Sequence, residues 1–74
     1  MSEAKQPPVW RLPGGAPVSC VEKIKVLNDN YRELAQLAQD AFEDALLMEC
    51  DETQIRQALH ALVDSLHNPY SGRK

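Results

Sequence analysis

The sequence predicts an all-α fold, an antiparallel helical hairpin, on three observations. Apolar residues make up 43% of the 74 positions, and nine are Leu and eight Ala against one Phe, one Trp and two Tyr. Leu and Ala favour helix, while the β-branched and aromatic strand formers are scarce. Apolar residues also recur three and four apart over two long stretches, the period of a helix face. Finally, two cap-like signals open those stretches: Ser19 with Glu22, and Asp51 with Gln54.

Residues 1–18 hold four of the five prolines and two of the three glycines. Proline blocks helix and the Gly14-Gly15 pair loosens the backbone, so an extended, irregular N-terminal arm is expected. The arm nevertheless carries Val9, Trp10, Leu12 and Val18. A fully solvated linker rarely contains tryptophan, so part of the arm is expected on an apolar surface. Its prolines do not fall in the PxxP spacing of a polyproline ligand.

The first helix is expected over about 20–48. Its seam runs Cys20, Ile24, Leu27, Tyr31, Leu34, Ala38, Ala41, Ala45 and Met48 on alternating four- and three-residue steps, which argues for helix-on-helix packing. Leu37 and Phe42 flank the seam, and the small Ala38, Ala41 and Ala45 permit close approach of a partner helix. Glu49-Cys50 forms the turn. The second helix is expected over about 52–67, with Ile55, Leu59, Leu62 and Leu66 on the same spacing, Ala58 and Val63 at its edges, and Asn68-Pro69 as its stop. The domain plan is thus an arm at 1–18, a hairpin at 19–68 and a short tail at 69–74.

The two helices are unequal, about 43 Å against about 24 Å at 1.5 Å per residue. Ile24, Leu27 and Tyr31 then project past the shorter rod, and three remedies exist. The arm folds back and lays Trp10 or Leu12 over them. Alternatively, the first helix breaks at Asn28-Asp29-Asn30, where Asn30 and Glu33 could form a further cap. Or a second chain supplies the cover. A two-helix hairpin leaves half of each helix wet, and small domains are marginal even with a complete core. Covering five or six large side chains at about 1.5–3 kcal/mol each favours the third remedy. A homodimer closing into a four-helix bundle, or docking on a larger protein, is the expectation. Leu27, Tyr31, Leu34, Ala38, Ala41, Phe42, Leu59, Leu62 and Leu66 would carry assembly, with Trp10 and Tyr70 anchoring the ends.

Chemistry is sparse. His60, Asp64 and His67 fall within about 60° of one another on a helix, so imidazole and carboxylate there could share a divalent metal. The ordinary reading is a polar flank near a helix C-terminus, where protonated His is favourable anyway. Cys20 and Cys50 lie at opposite ends of the first helix, about 45 Å apart by its rise, far beyond the reach of an intrachain disulfide. They read as a small seam residue and a turn residue. No HExxH, GxSxG, P-loop, GxGxxG or Glu-x-x-His pair occurs, and a bare hairpin offers no enclosed cavity for a substrate.

Charge is uneven. Residues 33–55 carry seven acidic groups (Glu33, Asp40, Glu43, Asp44, Glu49, Asp51, Glu52) and no Lys or Arg, while each flank is net positive. Overall the chain has 8 basic and 11 acidic residues. That balance makes nucleic acid an unlikely partner, since carboxylates repel phosphate. No apolar run approaches the roughly 18 residues of a membrane span, and the polar start lacks a signal-peptide core. The sequence therefore reads as a cytoplasmic, non-enzymatic protein that works by association. Metal binding at His60, Asp64 and His67 is the alternative, and otherwise no cofactor is expected.

Overall fold

The computed structural model describes residues 6–71. Those residues form two helices, α1 at Val21–Leu47 and α2 at Glu52–Asp64, and no strand beyond one isolated antiparallel bridge. The chain divides into two compact units, Met1–Asp40 and Ala41–Lys74.

In the first unit the arm departs from the extended course its prolines suggest. Arg11 bridges to Pro17, Leu12 N–H donates to the Ala16 carbonyl (2.8 Å), and Val18 N–H donates to the Trp10 carbonyl (2.8 Å). The reversal is built by Leu12-Pro13-Gly14-Gly15, closed by the Gly15 N–H on the Leu12 carbonyl at 2.8 Å. Pro13 supplies the fixed φ of the second turn position, and Gly15 takes a φ of 99° that a side chain would resist. The Arg11 side chain ties the loop by donating to the Gly15 carbonyl at 3.0 Å. The same Pro and Gly content that excludes helix thus specifies a miniature hairpin.

Helix α1 starts one residue later than its cap signal suggests. Ile24 N–H donates to the Cys20 carbonyl at 3.0 Å, which makes Cys20, not Ser19, the residue flanking the first turn. The helix is unbroken through Asn28-Asp29-Asn30. Side chains of this kind disturb a helix when they compete for its backbone, and here two of them are engaged elsewhere. Asn28 Oδ1 accepts from Trp10, while Asp29 pairs with Lys25 at 2.7 Å and lies 3.9 Å from Arg32.

In the second unit the end of α1 turns tightly into α2, consistent with the expected hairpin. Cys50 N–H donates to the Ala45 carbonyl (3.0 Å) and Glu49 N–H to the Leu46 carbonyl (2.9 Å), the paired bonds of a Schellman end. Glu49 sits at φ 65°, the left-handed place glycine usually fills. Asp51 then caps α2 as expected, its Oδ2 accepting from Gln54 N–H at 2.8 Å.

The stop of α2 comes earlier than 67. Ser65 Oγ donates to the Leu62 carbonyl at 2.6 Å, and its backbone N–H is shared between the Ala61 and Leu62 carbonyls. A hydroxyl that serves the last turn's carbonyl removes the need for a further turn, so the helix ends at Asp64. Asn68-Pro69 forms a separate turn, with Tyr70 N–H on Asn68 Oδ1 (2.7 Å) and Ser71 N–H on the Asn68 carbonyl (3.2 Å).

Candidate association surface

No side chain among the described residues is buried, apolar or polar. What cover exists is partial and differs between the units. In the first, the arm lies on α1: the Trp10 indole N–H donates to Asn28 Oδ1 at 2.7 Å, and the Trp10 and Tyr31 rings meet edge to face at 5.9 Å and 72°. Ile24, Leu27, Asn28, Tyr31 and Ala35 are half-covered. The first of the three remedies is therefore realised within the chain. An open depression of about 360 Å³ remains beside the contact, lined by Pro8, Trp10, Val18, Ile24, Asn28 and Arg32 among others.

Another flank of α1 gains nothing from the arm. Val26, Leu34 and Leu37 stay exposed, the two leucines at 65% and 66%. A depression of about 350 Å³ follows Asn30, Glu33, Leu34 and Leu37. Val26 escaped the sequence reading, although it precedes Leu37 by eleven residues, close to three helical turns, and so shares its side of the helix.

In the second unit the half-covered residues are Phe42, Ala45, Ile55 and Leu59. The Arg56 guanidinium carbon lies 4.7 Å from the Phe42 ring centroid, and Arg56 Nε donates to Glu52 Oε2 at 3.0 Å. One cation thus serves a ring face and a carboxylate together. Beyond this contact Leu62, Val63 and Leu66 are at least 60% exposed, and Leu47 and Met48 more so.

The residues expected to carry assembly therefore fall into two groups. Trp10, Leu27, Tyr31, Phe42 and Leu59 are half-covered within the chain, whereas Leu34, Ala38, Ala41, Leu62, Leu66 and Tyr70 are exposed. Along α1 the half-covered residues include Ile24, Leu27, Tyr31 and Ala45 of the predicted seam and Asn28, Ala35, Gln39 and Phe42 outside it, while Leu34, Ala38 and Ala41 are exposed. A straight helix repeats every 3.6 residues, so a heptad seam drifts about 20° per repeat unless the helix supercoils around a partner. The line from Ile24 to Phe42 keeps the 3.6 period, while the heptad residues Leu34, Ala38 and Ala41 lie off it and are exposed.

His60 and Asp64 share the flank of α2 and line, with Arg56, Leu59 and Val63, an open depression of about 260 Å³. His67 lies past the helix end, so the expected i+7 alignment does not form. Among the described residues no group of three or more His, Cys, Asp and Glu is placed to hold a metal ion. Cys20 and Cys50 are free, exposed thiols.

Lys25 and Asp29 form an ion pair on the surface of α1 at 2.7 Å. The hydrogen bond and charge of Lys25 lower the Asp29 carboxyl below its ordinary range, and Asp29 raises the Lys25 ammonium by the same contact. Asp29 therefore favours the helix above the usual carboxylate range and loses that effect as pH falls through its lowered pKa. Lys25 is exposed and Asp29 about half so, and pairs so placed contribute little. No helix among the described residues is long and apolar enough to cross a membrane. Comparison of the chain with protein-family models, curated proteins and solved structures yields no match.

Proposed function

We propose that this protein works by association: a non-enzymatic helical module whose uncovered faces are completed by another polypeptide. The completing chain is either a second copy, giving a four-helix bundle, or a larger protein that holds this one as an accessory subunit. The observation that carries the reading is the absence of any buried side chain among the described residues. Exposed leucines on each unit stand ready for cover. Single exposed apolar residues are ordinary on protein surfaces, but a described fold with no interior is not.

Magnitudes favour the same view. Covering a large aliphatic side chain fully is worth about 1.5–3 kcal/mol, so each of Leu34, Leu37, Leu62, Val63 and Leu66 has about 1–2 kcal/mol still to gain. Ordering each residue costs about 1–2 kcal/mol of backbone entropy, and without an interior little offsets it.

Ala41, small and exposed on the predicted seam, provides the test. In gentle purification from its native host, followed by native mass spectrometry, the chain should travel with a second polypeptide or a second copy. Ala41→Glu should abolish that pairing while far-UV circular dichroism still shows helix. If the parent chain is a monomer in the native extract, or Ala41→Glu assembles as the parent does, the reading is wrong.

A further inference from the structure

Resting on the association reading, we infer that the second unit's apolar face on α2 seats a basic amphipathic helix of a different protein. The seat is Leu59, Leu62, Val63 and Leu66. The first three follow one another along α2 at helical spacing, and Leu66, in the segment just past its end, is 73% exposed. Leu59 and Val63 form the apolar part of the open depression, which Arg56, His60 and Asp64 edge. A partner with apolar residues at i, i+3 or i+4, and i+7 matches such a row.

Charge selects the partner. Among the described residues the second unit carries six carboxylates, Glu43, Asp44, Glu49, Asp51, Glu52 and Asp64, and one guanidinium, Arg56. Arg56 is already engaged by Glu52 and Phe42. A two-fold pairing of this unit with its own copy would set one such acidic surface against another, because an isologous contact brings like patches together. The first unit is no better complement. Its described residues balance four cations (Arg11, Lys23, Lys25, Arg32) against four carboxylates (Glu22, Asp29, Glu33, Asp40). Among the described residues neither unit of a second copy is net positive, so the occupant is a foreign, lysine- or arginine-bearing segment. It is helical because α2 satisfies its own backbone and offers no free edge for a strand to join.

The experiment uses the full chain and three fluorescein-labelled eighteen-residue peptides, followed by fluorescence anisotropy. One is an amphipathic helix of Leu and Lys, the second replaces every Lys by Glu, and the third keeps Lys but replaces every Leu by Ser. Only the first should bind at micromolar concentration, with the other two at least about tenfold weaker. Its affinity should fall about tenfold or more between low and high salt, as charge-steered docking requires. Leu62→Ser should weaken it about tenfold. Leu66→Ser, which lies outside the helix and leaves α2 intact, should weaken it comparably. Equal binding of the Lys and Glu peptides, binding of the Ser peptide as tight as that of the Leu–Lys peptide, or no binding of any would overturn the inference. Sedimentation of the chain alone separates this failure from the broader one. A self-dimer lost on Leu66→Ser would refute the foreign partner and leave association standing, whereas a stable monomer indifferent to every peptide and to native extract would remove both.

Discussion

The first unit recruits cover for its helix from its own arm, whereas the second half-covers Phe42, Ala45, Ile55 and Leu59 and adds one cation over the Phe42 ring. Trp10 brings a large aromatic surface, a 2.7 Å hydrogen bond to Asn28 and an edge contact to Tyr31. The second unit has Arg56 over Phe42 at 4.7 Å, and its apolar row from Leu62 to Leu66 stays open. A tryptophan strap can shelter one stripe of a helix because it is broad, has few rotors and carries a donor for a polar neighbour. An arginine shelters less and leaves the adjoining leucines wet. The intramolecular remedy is therefore local, and it stops where the arm stops.

That contrast can be removed from one side. Trp10→Ala should cost the first half of α1 about 2 kcal/mol of local stability, less than a fully buried tryptophan because Trp10 is only half-covered. Amide hydrogen exchange would show it as roughly 30-fold faster exchange of residues near Ile24–Tyr31. Amides of α2 should change by less than about threefold. Equal acceleration throughout would mean that the two units do not stabilise themselves separately.

A smaller effect strengthens the other side. Glu49 holds the left-handed conformation at φ 65°, which glycine adopts without steric cost. Glu49→Gly should stabilise the turn by about 0.5–1 kcal/mol, read as slower exchange of the Cys50 amide and the α2 amides. Glu49→Gln removes the charge and keeps the strain, so it should shift those amides much less. If both variants act alike, charge and not backbone geometry sets the turn's stability.

Much of this architecture was legible in the residues. The expected span 20–48 lies within a residue of α1 at each end, and Asp51 caps α2 as its spacing with Gln54 suggests. These features depend on local chemistry, which sequence carries directly. The end of α2 was missed because Ser65 is as compatible with continuing the helix as with closing it. The arm's hairpin was missed because Pro13-Gly14-Gly15 was read for what it forbids and not for the turn it builds. The covered stripe of α1 departs from the heptad seam at Leu34, Ala38 and Ala41, where a straight 3.6-residue period and a heptad diverge. Of the expected assembly residues, those now half-covered are the ones that this chain's own neighbours reach. The remainder, Leu34, Ala38, Ala41, Leu62, Leu66 and Tyr70, stays exposed, which local sequence pattern does not reveal.

The absence of a self-sufficient interior is tested most directly by scanning calorimetry of the isolated chain at micromolar dilution. A cooperative domain of this size would absorb roughly 50 kcal/mol on melting, from about 0.7 kcal/mol per residue near 60 °C. A chain without a core should instead show a broad transition of much smaller enthalpy, and the proposed association predicts that it sharpens when the completing chain is added. A sharp, concentration-independent melt of the lone chain, with calorimetric and van't Hoff enthalpies equal and near the full value, would contradict it.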